Sequence, residues 1–103
     1  MDAVFGALAD PTRRAVLEAL VHDGASTATV LARRLPVTRQ AVGKHLSTLE
    51  RAGLVRCRRV GREARYEPDP RQLTGAAEWL TVLAREWDDR LARITALAES
   101  PDA

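Results

Sequence analysis

Apolar residues follow two rhythms along this chain, and the change of rhythm marks the change of element. Between Asp10 and Gly24, the residues Ala15, Val16, Leu17, Ala19 and Leu20 recur at helical spacing. Asp10-Pro11 supplies an N-cap and a first-turn proline for that helix, and Asp23-Gly24 ends it. A shorter amphipathic stretch, Ala3 to Leu8, precedes it with Val4, Phe5 and Leu8 apolar. Ser26 or Thr27 opens the next helix, whose expected buried positions are Val30, Leu31 and Leu35 before Pro36 stops it. Thr38 is the following N-cap, and its helix (38–52) runs to Ala52-Gly53, a natural left-handed exit. Only the few residues around Pro36-Val37 separate these two helices, which is helix-turn-helix spacing.

From Leu54 to Glu67 the rhythm shortens. Leu54-Val55-Arg56-Cys57-Arg58-Arg59-Val60 and Arg62-Glu63-Ala64-Arg65-Tyr66-Glu67 flank Gly61, the pattern of a β-hairpin with a tight or bulged turn. Asp69-Pro70 then repeats the cap-plus-proline signal for a last helix (70–100), irregular as far as Gly75 and unbroken from Ala76 to about Ser100-Pro101. The expected fold class is mostly α (α+β). It is a single winged helix-turn-helix domain (1–103) with a two-stranded β-hairpin wing (54–67) and a long C-terminal dimerisation helix.

Composition narrows the possibilities. With 103 residues, 46% hydrophobic and 29% charged, the chain suits one globular domain. The lone Cys57 excludes an internal disulfide and a dithiol finger built by one chain. The acidic start, Met1-Asp2, lacks the positive charge of a signal peptide, and no stretch approaches the ~18 apolar residues of a membrane span. A cytoplasmic protein with no membrane partner is expected. The net charge is only +2, but it is segregated. Residues 33–65 carry ten basic residues against two acids, Glu50 and Glu63, a local balance of +8; six basic and twelve acidic residues elsewhere leave −6. Such a field suits a polyanion or an acidic protein surface.

The helix opened by Thr38 sharpens this. At 100° per residue, Ala41, Val42, His45, Leu46, Leu49 and Ala52 fall on one side. Gln40, Gly43, Lys44, Ser47 and Arg51 fall on the other, with Arg39 at its edge. An amide, a bare backbone, a hydroxyl and cations are groups that read base edges in a major groove. Thr38, Arg39, Gln40, Gly43, Lys44 and Ser47 are therefore the candidate base-reading set. Arg58, Arg59, Arg62 and Arg65 around Gly61 are the candidate phosphate or minor-groove set. The bland alternative is that these arginines are solvent-facing strand positions. In the last helix Ala76, Trp79, Leu80, Leu83, Trp87, Leu91, Ile94 and Leu97 recur every three or four residues. Some 28 residues make a helix ~42 Å long, against a radius of gyration near ~13 Å for a domain of this size. Its stripe cannot all be covered by its own domain. A homodimer interface follows, with Trp79, Leu80, Leu83, Trp87, Leu91 and Ile94 joined by Val4, Phe5 and Leu8 from the N-terminal helix.

The chain resembles the ArsR-type bacterial winged helix-turn-helix transcription regulators. The resemblance rests on Ala7-Leu8-Ala9-Asp10-Pro11-Thr12-Arg13-Arg14, Val37-Thr38-Arg39-Gln40-Ala41-Val42-Gly43-Lys44-His45-Leu46, Leu49-Glu50-Arg51-Ala52-Gly53-Leu54-Val55, and Gly61-Arg62 with Tyr66. These pieces occur in order over nearly the whole chain. The resemblance implies a homodimer with helices at both ends, recognition helices in successive major grooves of double-stranded operator DNA, and usually repression. Metal-sensing members carry a Cys pair in the helix near Thr27, or His and carboxylates in the last helix. This chain has Thr27-Ala28-Thr29-Val30-Leu31-Ala32 in the first place, and Glu86, Asp88 and Asp89 without His in the second. No metal and no cofactor are expected, and the sequence assigns no small-molecule effector. His22 suits the end of its helix, and His45 suits an inner, hydrogen-bonded position. Cys57 shares a strand face with Val55 and Arg59; packing against the core is the favoured reading, with a redox role as the alternative. No nucleophile–base pairing or phosphate-cradling glycine loop argues for an enzyme. The remaining alternatives are a winged-helix module that grips an acidic protein and a metal-sensing regulator.

Overall fold

The computed structural model describes residues 1–99. Its elements run α1 (Asp2–Leu8), α2 (Pro11–Asp23), α3 (Ala28–Arg34), α4 (Arg39–Arg51), β1 (Val55–Val60), β2 (Glu63–Pro68) and α5 (Arg71–Glu99). The end expected for the last helix, at Ser100-Pro101, lies outside the described residues. Side-chain oxygens start three of the helices. Asp10 accepts the Arg13 N–H at 3.0 Å, Thr27 the Val30 N–H at 3.2 Å and Thr38 the Ala41 N–H at 3.1 Å. Each such cap is worth about 1 kcal/mol against alanine.

The α1–α2 corner shows what Arg13 and Arg14 do. Arg13 donates to the carbonyls of Gly6 (3.4 Å) and Ala7 (3.2 Å), and Arg14 to that of Leu8 (2.6 Å). The last carbonyls of α1 thus meet cations from α2, that of Gly6 while also accepting the Ala9 N–H at 3.3 Å, which suits the negative end of a helix dipole.

The core joins α1, α2, α3, α4 and the start of the hairpin. Val16, Leu20, Leu31, Val42, Leu46, Leu49 and Leu54 are all but fully buried, with Val4, Ala7, Val55 and Ala76 around them. Truncating one of the buried leucines to alanine costs about 2–5 kcal/mol. Val30 and Leu35 are half-buried; in the expected buried trio of α3, Leu31 alone is in the core. Val4, expected at a dimer surface, is 2% exposed and belongs to its own subunit's core. The reason is that α1 lies across α2 and α4 and turns Val4 and Ala7 inward. Phe5 and Leu8 are half-buried against the same core.

β1 and β2 pair antiparallel, Val55 opposite Pro68, Cys57 opposite Tyr66, Arg59 opposite Ala64 and Val60 opposite Glu63. Gly61 (φ 63°) and Arg62 form the two-residue turn, and among the described residues none other than glycine has positive φ. Glycine at the first central position is the primed turn that matches strand twist. On its other side β2 is tied to Ser26 by reciprocal backbone bonds of 3.0 and 2.8 Å. Cys57 departs from expectation: it is exposed. It does share the face of Val55, but β1 is the outer strand of the hairpin, and on that face it is Tyr66 of the inner strand β2 that packs against the core.

α5 is continuous through Gly75. Thr74 secures that turn, its N–H and hydroxyl both donating to the Pro70 carbonyl at 2.9 and 3.0 Å, while Ala76 packs into the core. Beyond Ala76 the helix leaves its own domain. The radius of gyration is 19.6 Å and the extents 73 × 25 × 22 Å, well above the ~13 Å of a rounded domain.

Candidate nucleic-acid interface

Helix α4 divides as its sequence demands. Val42, Leu46 and Leu49 are fully buried, while Gln40, Lys44, Ser47 and Arg51 are exposed. Gln40 precedes Gly43 and Lys44 by three and four residues, and these precede Ser47 by four and three, so the four form one outward ridge. At Gly43 an added Cβ would meet nothing within 4 Å. The glycine opens the ridge, so a large partner can approach the backbone there. His45, on the opposite side, is half-buried and contributes to holding the Asp10 carboxyl below its usual range, behind the Arg13 N–H as main cause.

The start of α4 leaves two backbone donors open. Thr38 takes the Ala41 N–H with its hydroxyl and the Val42 N–H with its carbonyl. That leaves the N–H groups of Arg39 and Gln40 at the helix start. Arg39 donates from Nε to Thr29 Oγ1 at 2.9 Å, so α3 holds its guanidinium in place.

A groove of about 620 Å³ runs between the start of α4 and the wing. Arg39, Gln40 and Gly43 line it from α4 and Arg62, Glu63, Ala64 and Tyr66 from the wing, with Thr29 and Arg33 of α3 between; Glu63 is the one acid among the cations. Thr29 and Arg33 were not among the sequence candidates. They are four apart on α3 and so share a face; Arg33 already stood in the basic segment, and this i, i+4 spacing was the usable signal.

The wing's arginines do not form one patch. Residues directly opposed on paired strands share a face, so Arg59 goes with Ala64, Tyr66 and Cys57, on the side turned to α3 and α4. Arg58 and Arg65 are opposed to each other on the reverse face. Two like charges directly across a ladder are destabilising without counter-charge, and Glu63 approaches Arg65 at 3.4 Å. Arg65 lines a smaller cleft of about 220 Å³ with Arg34 and Asp23, themselves paired at 2.8 Å. Arg62, in the turn, lines the main groove. Partial burial pushes the Tyr66 phenol up, with the Cys57 side chain beside it as the next cause. Among the described residues no three His, Cys, Asp or Glu side chains gather closely enough to hold a metal ion, and no helix is long and apolar enough to cross a membrane.

The sequence-predicted dimer surface is divided by the fold. Trp79, Leu80, Leu83, Trp87, Leu91 and Ile94 are 44–59% exposed along α5. Phe5 reaches α5 through a tilted ring contact with Trp79, centroids 5.7 Å apart.

Comparison with known proteins gives this geometry its setting. A helix-turn-helix domain model matches residues 8–58. The HTH-type transcriptional regulator Rv2034 of Mycobacterium tuberculosis is 43% identical over 99 residues, covering 96% of this chain and 89% of that one. An ArsR-like transcriptional regulator from Rhodococcus sp. RHA1 is 45% identical with a TM-score of 0.84, covering 96% of this chain and 92% of that one. The homodimeric winged helix-turn-helix DNA-binding domain of a possible ArsR-family regulator from Mycobacterium bovis is 25% identical with a TM-score of 0.64, covering 82% of this chain and 78% of that one. A capped recognition helix, a basic wing across one groove from it, and relatives alike over almost the whole length lead to one conclusion: the chain belongs to the ArsR-type winged helix-turn-helix transcriptional regulators.

Proposed function

We infer that the chain acts as a homodimeric, sequence-specific repressor that binds an inverted-repeat operator in double-stranded DNA. The carrying observation is the unobstructed ridge Gln40, Gly43, Lys44, Ser47, which opens beside the groove shared with Arg62. In this reading the ridge enters a major groove, where Gln40 pairs with an adenine edge and Lys44 and Ser47 reach neighbouring bases. The free N–H groups at the Thr38 end meet a phosphate, and Arg39, Arg59 and Arg62 meet others. Arg58 and Arg65, on the reverse face, add field rather than contact.

The dimer rests on α5. A row of large apolar side chains about half exposed over some four turns is far more than a monomer normally leaves in water. A second copy covers it by twofold symmetry, and a related domain of M. bovis is homodimeric. Two recognition helices about 34–36 Å apart then match half-sites one turn apart. Bound there, the dimer blocks polymerase. It works in the cytoplasm without a metal or cofactor.

Selection of bound sequences from random duplex DNA, with the oligomeric state measured in the same buffer, tests this. Enrichment of an inverted repeat by a dimer is expected. Weak binding blind to sequence would overturn it in favour of an acidic protein partner.

A further inference from the structure

We propose that the joint between α4 and α5, built from Gly53, Asp69 and Gln72, sets the half-site spacing that the dimer accepts; the proposal rests on the dimeric, inverted-repeat reading above. In each subunit α4 reads DNA and α5 meets the partner. The angle between them therefore fixes where the two reading ridges stand relative to the dyad.

That angle is pinned at three points. Gly53 leaves α4 in the left-handed region (φ 77°), its N–H bonded to the Glu50 carbonyl at 3.0 Å and the Leu54 N–H to that of Leu49 at 2.9 Å. A Cβ at this position would stand 2.9 Å from Cγ of Gln72, so the first turn of α5 lies directly on the turn out of α4. The next residue, Leu54, accepts the Asp69 N–H at 2.9 Å. Asp69, 5% exposed, in turn accepts the Arg71 N–H at 3.2 Å and its guanidinium at 2.7–3.2 Å. One residue thus binds the exit of the recognition helix with its backbone and the start of the dimer helix with its carboxylate. Buried Ala76 closes the joint, and nothing of α5 past it is buried in its own subunit.

Past the joint α5 is a lever, braced near its base by Phe5 of α1 against Trp79. From Ala76 to Glu99 it extends ~35 Å, so a tilt of roughly 5° at the joint displaces its far end by ~3 Å. That is about the ~3.4 Å between successive phosphates of one strand along the helix axis, and twofold symmetry doubles it.

The test is a library of operators whose half-sites are fixed and whose spacer varies by single base pairs. The wild type is expected to favour one spacer over its neighbours by roughly 10-fold or more, since a wrong spacer must be met by twisting or bending the DNA. Asp69→Ala combined with Gln72→Ala is expected to reduce that preference to roughly 3-fold or less, with base preference inside each half-site unchanged. Gln72→Ala alone, at an exposed helical position where alanine is well tolerated, is expected to broaden it in part; it keeps the test open if the double variant does not fold. An unchanged spacer preference in the folded variants overturns the joint. A wild type that selects no spaced repeat at all overturns both the joint and the reading beneath it.

Discussion

In the proposed reading, base recognition depends most on Gln40. It stands exposed on the groove side of α4, and an amide can make two hydrogen bonds to adenine. Gln40→Ala is expected to relax preference at one operator position by about 1–3 kcal/mol and leave the others intact. Equal weakening on all sequences, measured by competition binding, would remove Gln40 from base reading. Asp69 makes a different claim, about stability. Arg71 holds its carboxyl at about 2, below the ~3.9 of an unfolded aspartate. Its contribution is therefore complete above the unfolded value and is lost as pH falls toward about 2. The melting temperature should exceed that of Asp69→Asn at pH 5, and the gap should close towards pH 2. A gap that stays constant would show that the charge is not what stabilises. Asp69 was legible in the sequence as a cap; its bond to Leu54 was not, because it joins distant segments through backbone atoms.

At the scale of elements, local chemistry carried the reading far. Asp10, Thr38 and Asp69 each stand at a helix start and Gly61 at the turn, because caps and primed turns are decided within four residues. The face of α4 also followed from its own periodicity. Where the outcome depended on distant packing, the sequence misled or was silent. Cys57 has the alternation of a core residue but lies on the outer strand of the hairpin; Val4 looked available to a partner and is enclosed by α2 and α4. Thr29 and Arg33 join the groove only because α3 packs beside the mouth of α4. The wing illustrates both cases: its turn was readable, yet register alone separates Arg58 and Arg65 from Arg59. Arg62→Ala should lower affinity across sequences and reduce the slope of log affinity against log salt by about 1. In contrast, Arg58→Ala should change that slope by clearly less; equal effects would show that the two faces of the hairpin meet DNA alike.

The whole molecule is an elongated subunit whose long helix leaves its own core. This shape was legible from length alone, since a ~42 Å helix outruns a domain of ~13 Å radius of gyration. A second copy as its cover was read from the same stripe and remains part of the function proposed above. Leu83→Glu, at an exposed position within that stripe, should yield a monomer by sedimentation and weaken operator binding by roughly 100-fold or more through lost bivalency. A dimer that persists would place the interface elsewhere.

The central claim, two copies of the α4 ridge in successive major grooves, is tested most directly by interference mapping on a selected operator. Methylating guanine N7 blocks the major groove alone. Loss of binding is predicted at two clusters of positions about 34–36 Å apart, symmetric about the repeat's centre. A single cluster, or binding indifferent to N7 methylation, would contradict it.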